Sequence, residues 1–209
     1  MSNKSIEYND KLFRLCYRKI FRILRSKIGR GDAKIAMDQI KRDYKNVLSQ
    51  FPDVGKNTLT DMAYLGAMFI SIWHGTGQKF TVEELDQIYA DILKSFRWMF
   101  GLANLNRKFV KKKLRHEITT YTEWLNKEGA LYPGKWEAHQ DDSVKKGVRF
   151  IFTKCPVRDY CAAHDCLTIL PAICHQDHLM CKMMHGTLKR ESTLAAGDCC
   201  DFWMMGDKE

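Results

Sequence analysis

The spacing of apolar residues is helical over the first part of this chain and turns alternating beyond residue 147, and that change points to an α+β fold. Over residues 10–28 the apolar positions Phe13, Cys16, Ile20, Leu24 and Ile28 recur every three or four residues, which puts them on one stripe of a helix. No proline precedes Pro52, so nothing interrupts helical structure before it. A second helix is expected over residues 32–50 with Ile35, Ile40, Tyr44, Val47 and Leu48 inward, ended by Pro52 and Gly55. Residues 58–73 read as a more buried helix, because apolar side chains occupy most of its circumference, with Gly75 and Gly77 marking its exit. Thr81-Val82-Glu83-Glu84 has the form of a capping box, in which Thr81 and Glu84 satisfy each other's free amides. It opens a helix expected to run to residue 100. Another helix is expected over residues 106–126, and Gly129, Pro133 and Gly134 mark a break.

Beyond the break Val148, Phe150 and Phe152 alternate with Arg149, Ile151 and Thr153, the period of a strand, which ends at Lys154-Cys155-Pro156. A helix over residues 169–184 and two strands, 187–194 and 199–204, joined by a turn at 195–198, complete the reading. The expected architecture is α+β: a helical N-terminal layer packed on a small, mainly antiparallel C-terminal sheet. Residues 1–209 are expected to form a single domain, with 1–128 helical and 129–209 mixed.

The longest apolar segment, residues 62–73, stops at His74-Gly75, short of the roughly 18–20 apolar residues that a membrane span requires. The basic N-terminus lacks an apolar core followed by small residues, so a cytoplasmic protein is expected. The formal charge is +9, concentrated in two runs. Residues 1–30 carry Lys4, Lys11, Arg14, Arg18, Lys19, Arg22, Arg25, Lys27 and Arg30 against Glu7 and Asp10. Arg107, Lys108, Lys111, Lys112, Lys113 and Arg115 form the second. Both are read as the wet faces of amphipathic helices. The competing reading is a non-enzymatic module in which these runs grip nucleic acid or an acidic partner while the cysteines sense metal or redox state. No recognised nucleic-acid motif is present, so nucleic acid is not the expected partner.

Seven of the eight cysteines fall after residue 154, and no C-x-x-C pair occurs, which argues against a zinc ribbon or a thioredoxin-type site. Cys16, on an apolar helix stripe, and Cys161, Cys166 and Cys181 are read as small core residues, the commonest state of a free cysteine. Cys155, Cys174 and Cys200 differ because each adjoins a turn or an acid, where thiolate chemistry is accessible. Cys174 and Asp177 lie three apart and share a helix face. Gly197 is expected to take a positive backbone angle and let the turn approach a ligand.

The order Phe152-Thr153-Lys154-Cys155-Pro156, Cys174 with Asp177, Arg190, then Gly197-Asp198-Cys199-Cys200-Asp201-Phe202 resembles the C-terminal signature of the L-2-amino-thiazoline-4-carboxylic acid hydrolases. Leu65-Gly66-Ala67 through Trp73, Gly77 and Thr81-Val82-Glu83-Glu84-Leu85 resemble that family's helix, turn and capped helix, and the likeness spans residues 58–204. It implies hydrolytic opening of a cyclic amidine, 2-amino-thiazoline-4-carboxylate, to N-carbamoyl-cysteine, or of a related cyclic amide; with no dinucleotide or phosphate-loop fingerprint in the sequence, no nucleotide or redox cofactor is expected. Such a site needs a base or nucleophile, an acid for the leaving group and a cation for the substrate carboxylate. Asp177 or Asp201 is the candidate base, and one of Cys155, Cys174 and Cys200 the candidate nucleophile. Arg190 is the candidate carboxylate fork, with Gly197 and Phe202 beside the substrate. Zinc held by the three cysteines is the metal-bound alternative. The expected partner is a small molecule, and association into a homo-oligomer is left open.

Overall fold

Two amphipathic helices start the computed structural model, α1 (Lys11–Ile28) and α2 (Arg30–Leu48), followed by the apolar α3 (Thr58–Gly75). The structure describes residues 6–9, 11–51, 53, 58–128 and 135–209. Lys4, Asp10, Pro52, Gly55, Gly129, Pro133 and Gly134 therefore lie outside the described residues. In α1 the stripe Phe13, Cys16, Ile20 and Leu24 is buried, as its spacing requires, and Arg14, Arg18, Arg22 and Arg25 are exposed. In α2 Ile40, Tyr44, Val47 and Leu48 are buried, but Ile35 is 60% exposed and Ala33, Ala36 and Met37 take the inward positions. Five residues separate Ile35 from Ile40, about 140° around a helix of 3.6 residues per turn, so the two cannot share a stripe.

Helix α2 lies close against α3. A Cβ on Gly75 would stand 2.4 Å from Ile40 Cγ1 and 2.7 Å from its backbone nitrogen, so only glycine fits there. Helix α4 (Val82–Lys94) begins at the expected capping box, with Thr81 and Glu84 bonded reciprocally. It stops six residues before the expected end. The amides of Ser95 and Phe96 bond the carbonyls of Ile92 and Leu93 three residues back, and this tightened turn separates α4 from the one-turn α5 (Arg97–Phe100). Helix α6 (Lys108–Glu128) carries the second basic run.

The C-terminal part contains four strands, β1 (Glu137–Asp141), β2 (Val148–Lys154), β3 (Gly186–Lys189) and β4 (Cys200–Gly206), all antiparallel in the order β1-β2-β4-β3. Helices α7 (Pro156–Ala163) and α8 (Leu170–Met183) lie between β2 and β3. Strand β1 and helix α7 add to the expected elements. The polar segment Glu137–Asp141 has no strand signature of its own. It is held by pairing with β2 and by α6, where Tyr121 Oη donates to the Trp136 carbonyl and Thr122 Oγ1 to that of Ala138. Helix α7 does carry a local signal: Pro156 opens it, and Val157, Tyr160 and Cys161 are buried at helical spacing.

The expected terminal hairpin is also revised. Strand β3 ends at Lys189, and residues 190–199 form a ten-residue connection that turns Arg190 inward. Among the described residues no helix is long and apolar enough to cross a membrane. The architecture is α+β, with N-terminal helices packed against a small antiparallel sheet.

Candidate functional site

Helix α8 begins at a proline in its first turn and presents Ile173, Cys174, Asp177, Met180 and Cys181 at intervals of three and four. That face looks into a cavity of about 260 Å³ bounded by α3, α6, α8 and the inner faces of β2 and β4. On β2 and β4 the register pairs Phe150 with Phe202 and Phe152 with Cys200, so Cys200 and Phe202 share the cavity face with the two phenylalanines. Cys155 stands where β2 meets α7, as the N-cap of that helix. The structure therefore brings Cys155, Cys174, Asp177, Cys200 and Phe202 to one cavity. The rest of its wall is nearly all hydrocarbon, including Leu65, Phe69, Ile118 and Met180. Its charged members, among the described residues, are Asp177 and Glu117, both acidic.

Such surroundings act on every ionisable group there. Burial pushes the Cys155 thiol up to about 12 despite amide hydrogen bonds from Arg158 and Val157 that work the other way. Cys174 is raised further, by burial first and then by the Asp177 carboxylate. Cys200 is raised by burial, while its sulfur accepts the Leu194 amide at 3.1 Å. Burial also raises Asp177 above the ordinary carboxylate value, opposed by the Arg190 charge and hydrogen bond. At neutral pH these thiols are therefore protonated, and Asp177 is a stronger base than a solvated aspartate.

Arg190 is engaged within the chain. Its side chain is 4% exposed. Nη2 donates to Asp177 Oδ2 at 2.7 Å and Nη1 to the Cys174 carbonyl at 3.0 Å. The guanidinium lies 4.0 Å from the Phe202 ring centroid. Both Nη groups are thus engaged within the chain, orienting Asp177, while Nε is buried without a partner among the described residues.

Asp201 and Gly197 also stand elsewhere. Side chains alternate along β4, so Asp201 faces away from Cys200 and Phe202. There it takes two hydrogen bonds from Arg149, at 2.9 and 2.8 Å, and Arg149 also meets Asp141 at 3.1 Å. Gly197 keeps a backbone angle outside the left-handed region. Its missing side chain makes room for Ser192, whose Oγ would lie 2.5 Å from a Cβ. Among the described residues no group of three His, Cys, Asp or Glu is arranged to hold a metal ion, so the zinc arrangement of Cys155, Cys174 and Cys200 finds no geometric support.

A second cluster escapes any reading of the sequence. His74, near the end of α3, bonds Asp43 of α2 at 2.8 Å, and its proton affinity is raised chiefly by that carboxylate, with Cys166 adding to it. The Cys166 amide in turn donates to the Cys161 carbonyl at 2.9 Å. Asp43, His74 and Cys166 come from three separate elements, and no spacing in the sequence links them. The one available hint is a histidine ending an apolar helix.

A family model described as L-2-amino-thiazoline-4-carboxylic acid hydrolase matches residues 62–204, more than half of the chain. No curated protein and no solved structure matches it.

Proposed function

Since the chain belongs to the L-2-amino-thiazoline-4-carboxylic acid hydrolase family, we propose that it is a hydrolase opening a small cyclic amidine or amide, with Asp177 as its base. The observation that carries this reading is the convergence of Asp177 with four protonated thiols, Cys155, Cys174, Cys181 and Cys200, at a largely apolar cavity. Asp177 takes a proton from water as the oxygen adds to the ring's amidine or amide carbon. The bond from that carbon to the ring heteroatom then breaks, and the proton returns from Asp177 to the leaving sulfur or nitrogen. Exclusion of bulk water strengthens each of these interactions.

Cys155, Cys174 and Cys200 act as S–H donors toward the ring, because burial keeps them from being resident thiolates. This differs from the nucleophilic role that the signature suggests for one of them. Arg190 holds Asp177 in place and opposes the rise in its proton affinity that burial causes. The wall also bears on the substrate. Among the described residues that line the cavity, a free carboxylate would meet Glu117 and Asp177 and no cation, at a large desolvation cost. The cavity therefore suits a ring on a neutral, apolar body better than 2-amino-thiazoline-4-carboxylate itself.

Purified protein assayed without added nucleotide or redox cofactor tests this. The panel runs from 2-amino-thiazoline-4-carboxylate to neutral, alkyl-substituted thiazolines and lactams, with product mass as the readout. Turnover is expected, strongest on the apolar members, and lost by about 100-fold or more in Asp177→Asn, the range for a general base. No ring opened across the panel, or equal turnover in Asp177→Asn, would overturn the reading.

A further inference from the structure

Lys94 and Arg97 extend the second basic run toward the N-terminus, and residues 92–116 contain no aspartate or glutamate. The three most exposed large apolar side chains among the described residues belong to the same segment: Leu102 at 72%, Trp98 at 69% and Phe109 at 62%, with Met99 at 40% beside them. Local structure groups them. The amides of Gly101, Leu102 and Ala103 bond the carbonyls of Arg97, Met99 and Phe100, so the winding of α5 continues through residue 103. Met99 and Leu102, three apart, share a face of that turn, and Trp98 adjoins Met99. The Leu105 amide is then pinned to the Met184 carbonyl at 2.8 Å. Helix α6 opens at once with Phe109, which is exposed on the same face as Lys112 and Lys113.

Partners within the chain account for only part of the charge. Lys94 meets Asp91 at 3.1 Å, Lys111 meets Glu209, and Lys113 meets Glu117 at 3.7 Å. Arg115 bonds the Gly147 carbonyl, and Asp207, just after β4, accepts from Asn106 at 2.8 Å. Among the described residues no carboxylate pairs with Arg97, Arg107, Lys108 or Lys112. The Arg107 guanidinium instead lies 6.0 Å from the centroid of the Phe109 ring. Exposed apolar side chains flanked by uncompensated cations are complementary to a surface that is anionic outside and hydrocarbon beneath. We infer that this segment docks the protein on an anionic phospholipid bilayer. Trp98, Met99, Leu102 and Phe109 enter the boundary between headgroups and acyl chains, while Arg97, Arg107, Lys108 and Lys112 meet the lipid phosphates.

The side-chain types favour a bilayer over a nucleic acid. Bases would stack on Trp98 and Phe109 but gain nothing from Leu102 and Met99, whose flexible aliphatic chains suit fluid hydrocarbon. An indole ring lies well at headgroup depth with its N–H toward water. Lysine and arginine stems run along the apolar surface and raise their charged ends to the phosphates. No described helix is long and apolar enough to span the bilayer, so the attachment is peripheral and reversible. Phe100 and Leu114, from the same segment, line the cavity, and docking brings that wall beside the lipid. The docking itself does not depend on the chemistry proposed for the cavity.

The test is co-sedimentation of the full chain with vesicles of phosphatidylcholine alone or with about 30% phosphatidylserine, at low and at physiological salt. Binding is expected on the phosphatidylserine vesicles, weaker as salt rises, and far below that on phosphatidylcholine alone. Leu102→Ser combined with Phe109→Ser should lower the partition coefficient by about 10-fold or more. Lys108→Gln and Lys112→Gln should each lower it by roughly five-fold. All four side chains are exposed, so these variants should melt as the parent does. Trp98→Phe should keep sedimentation but lose the blue shift of tryptophan emission that vesicles induce. Arg18→Gln combined with Arg22→Gln removes as much charge from the exposed face of α1 and should leave partition close to that of the parent. Equal binding to both vesicle types, parental partition in the Leu102 and Phe109 double variant, or a loss as large in the α1 variant would each overturn the proposal. So would binding of a single-stranded RNA without binding of vesicles.

Discussion

Arg190 reaches back from the connection after β3 to place Nη2 2.7 Å from Asp177 Oδ2, thirteen residues earlier on α8, while its guanidinium covers the Phe202 ring. A residue that the sequence marks as a substrate clamp is thereby committed to a carboxylate of its own chain. The charge of Arg190 lowers the Asp177 value that burial raises, so the pair sets how basic the cavity carboxylate is.

The first prediction concerns pH. A base must be deprotonated to act, so turnover should fall as pH drops through the Asp177 value, which lies above that of a solvated aspartate. Arg190→Gln removes the lowering influence and should move this acid limb to higher pH. Breaking a buried pair from one side should also cost about 3–5 kcal/mol of stability, readable by urea denaturation. An acid limb that stays in place in Arg190→Gln would show that Asp177 is not the group being titrated.

Neighbouring residues on β4 should behave differently. Cys200→Ser keeps an acceptor for the Leu194 amide but changes the donor facing the cavity, so kcat should fall with little change in melting temperature. Asp201→Asn weakens the Arg149 pairing on the opposite face, so melting temperature should fall with kcat retained. Steady-state rates and thermal melts on the same preparations check both. The reverse pattern would put the site on the other side of the sheet.

His74 makes stability depend on alkaline pH. Its folded value of about 9 exceeds the ordinary 6.5, chiefly through Asp43. The contribution is fully present below 6.5 and is lost as pH rises through about 9. Cys166 is shifted downward and works in the opposite sense, so the comparison is best made in a Cys166→Ser background. There, chemical denaturation at mildly acidic, neutral and alkaline pH should show stability declining upward from about 6.5, over a narrower window because Cys166 no longer raises His74, and Asp43→Asn should flatten the decline.

Two glycines make a paired stability test. Gly75→Ala would press its Cβ against the Ile40 side chain and backbone, and overpacking of this kind costs about 1–3 kcal/mol. Gly31 sits in the first turn of α2 with nothing within 4 Å of the place an alanine methyl would take, so Gly31→Ala should stabilise by about 0.4–1 kcal/mol by restricting the unfolded chain. Equal effects at the two sites, measured by chemical denaturation, would contradict the close approach of α2 and α3.

Features that depend on neighbours along the chain were legible in the residues alone. Apolar spacing identifies α1 and most of α2, reciprocal Thr81–Glu84 capping locates the start of α4, and alternation identifies β2. The same logic puts Cys174 and Asp177 on one helix face, because a three-residue step fixes their angle whatever else the chain does. Packing settled everything that depends on which surfaces meet. Strand β1 exists because β2 and α6 supply hydrogen bonds that its own polar residues do not call for. Register, set by pairing across strands, turns Cys200 and Phe202 into the cavity and Asp201 away from it. Arg190 was legible as a cation, but only folding could bring it to Asp177 rather than leave it for a substrate. The Asp43–His74–Cys166 cluster draws on α2, α3 and the turn after α7. Local periodicity carries no record of such distant encounters, since contact between elements is set by packing of whole faces and not by the spacing of any one segment.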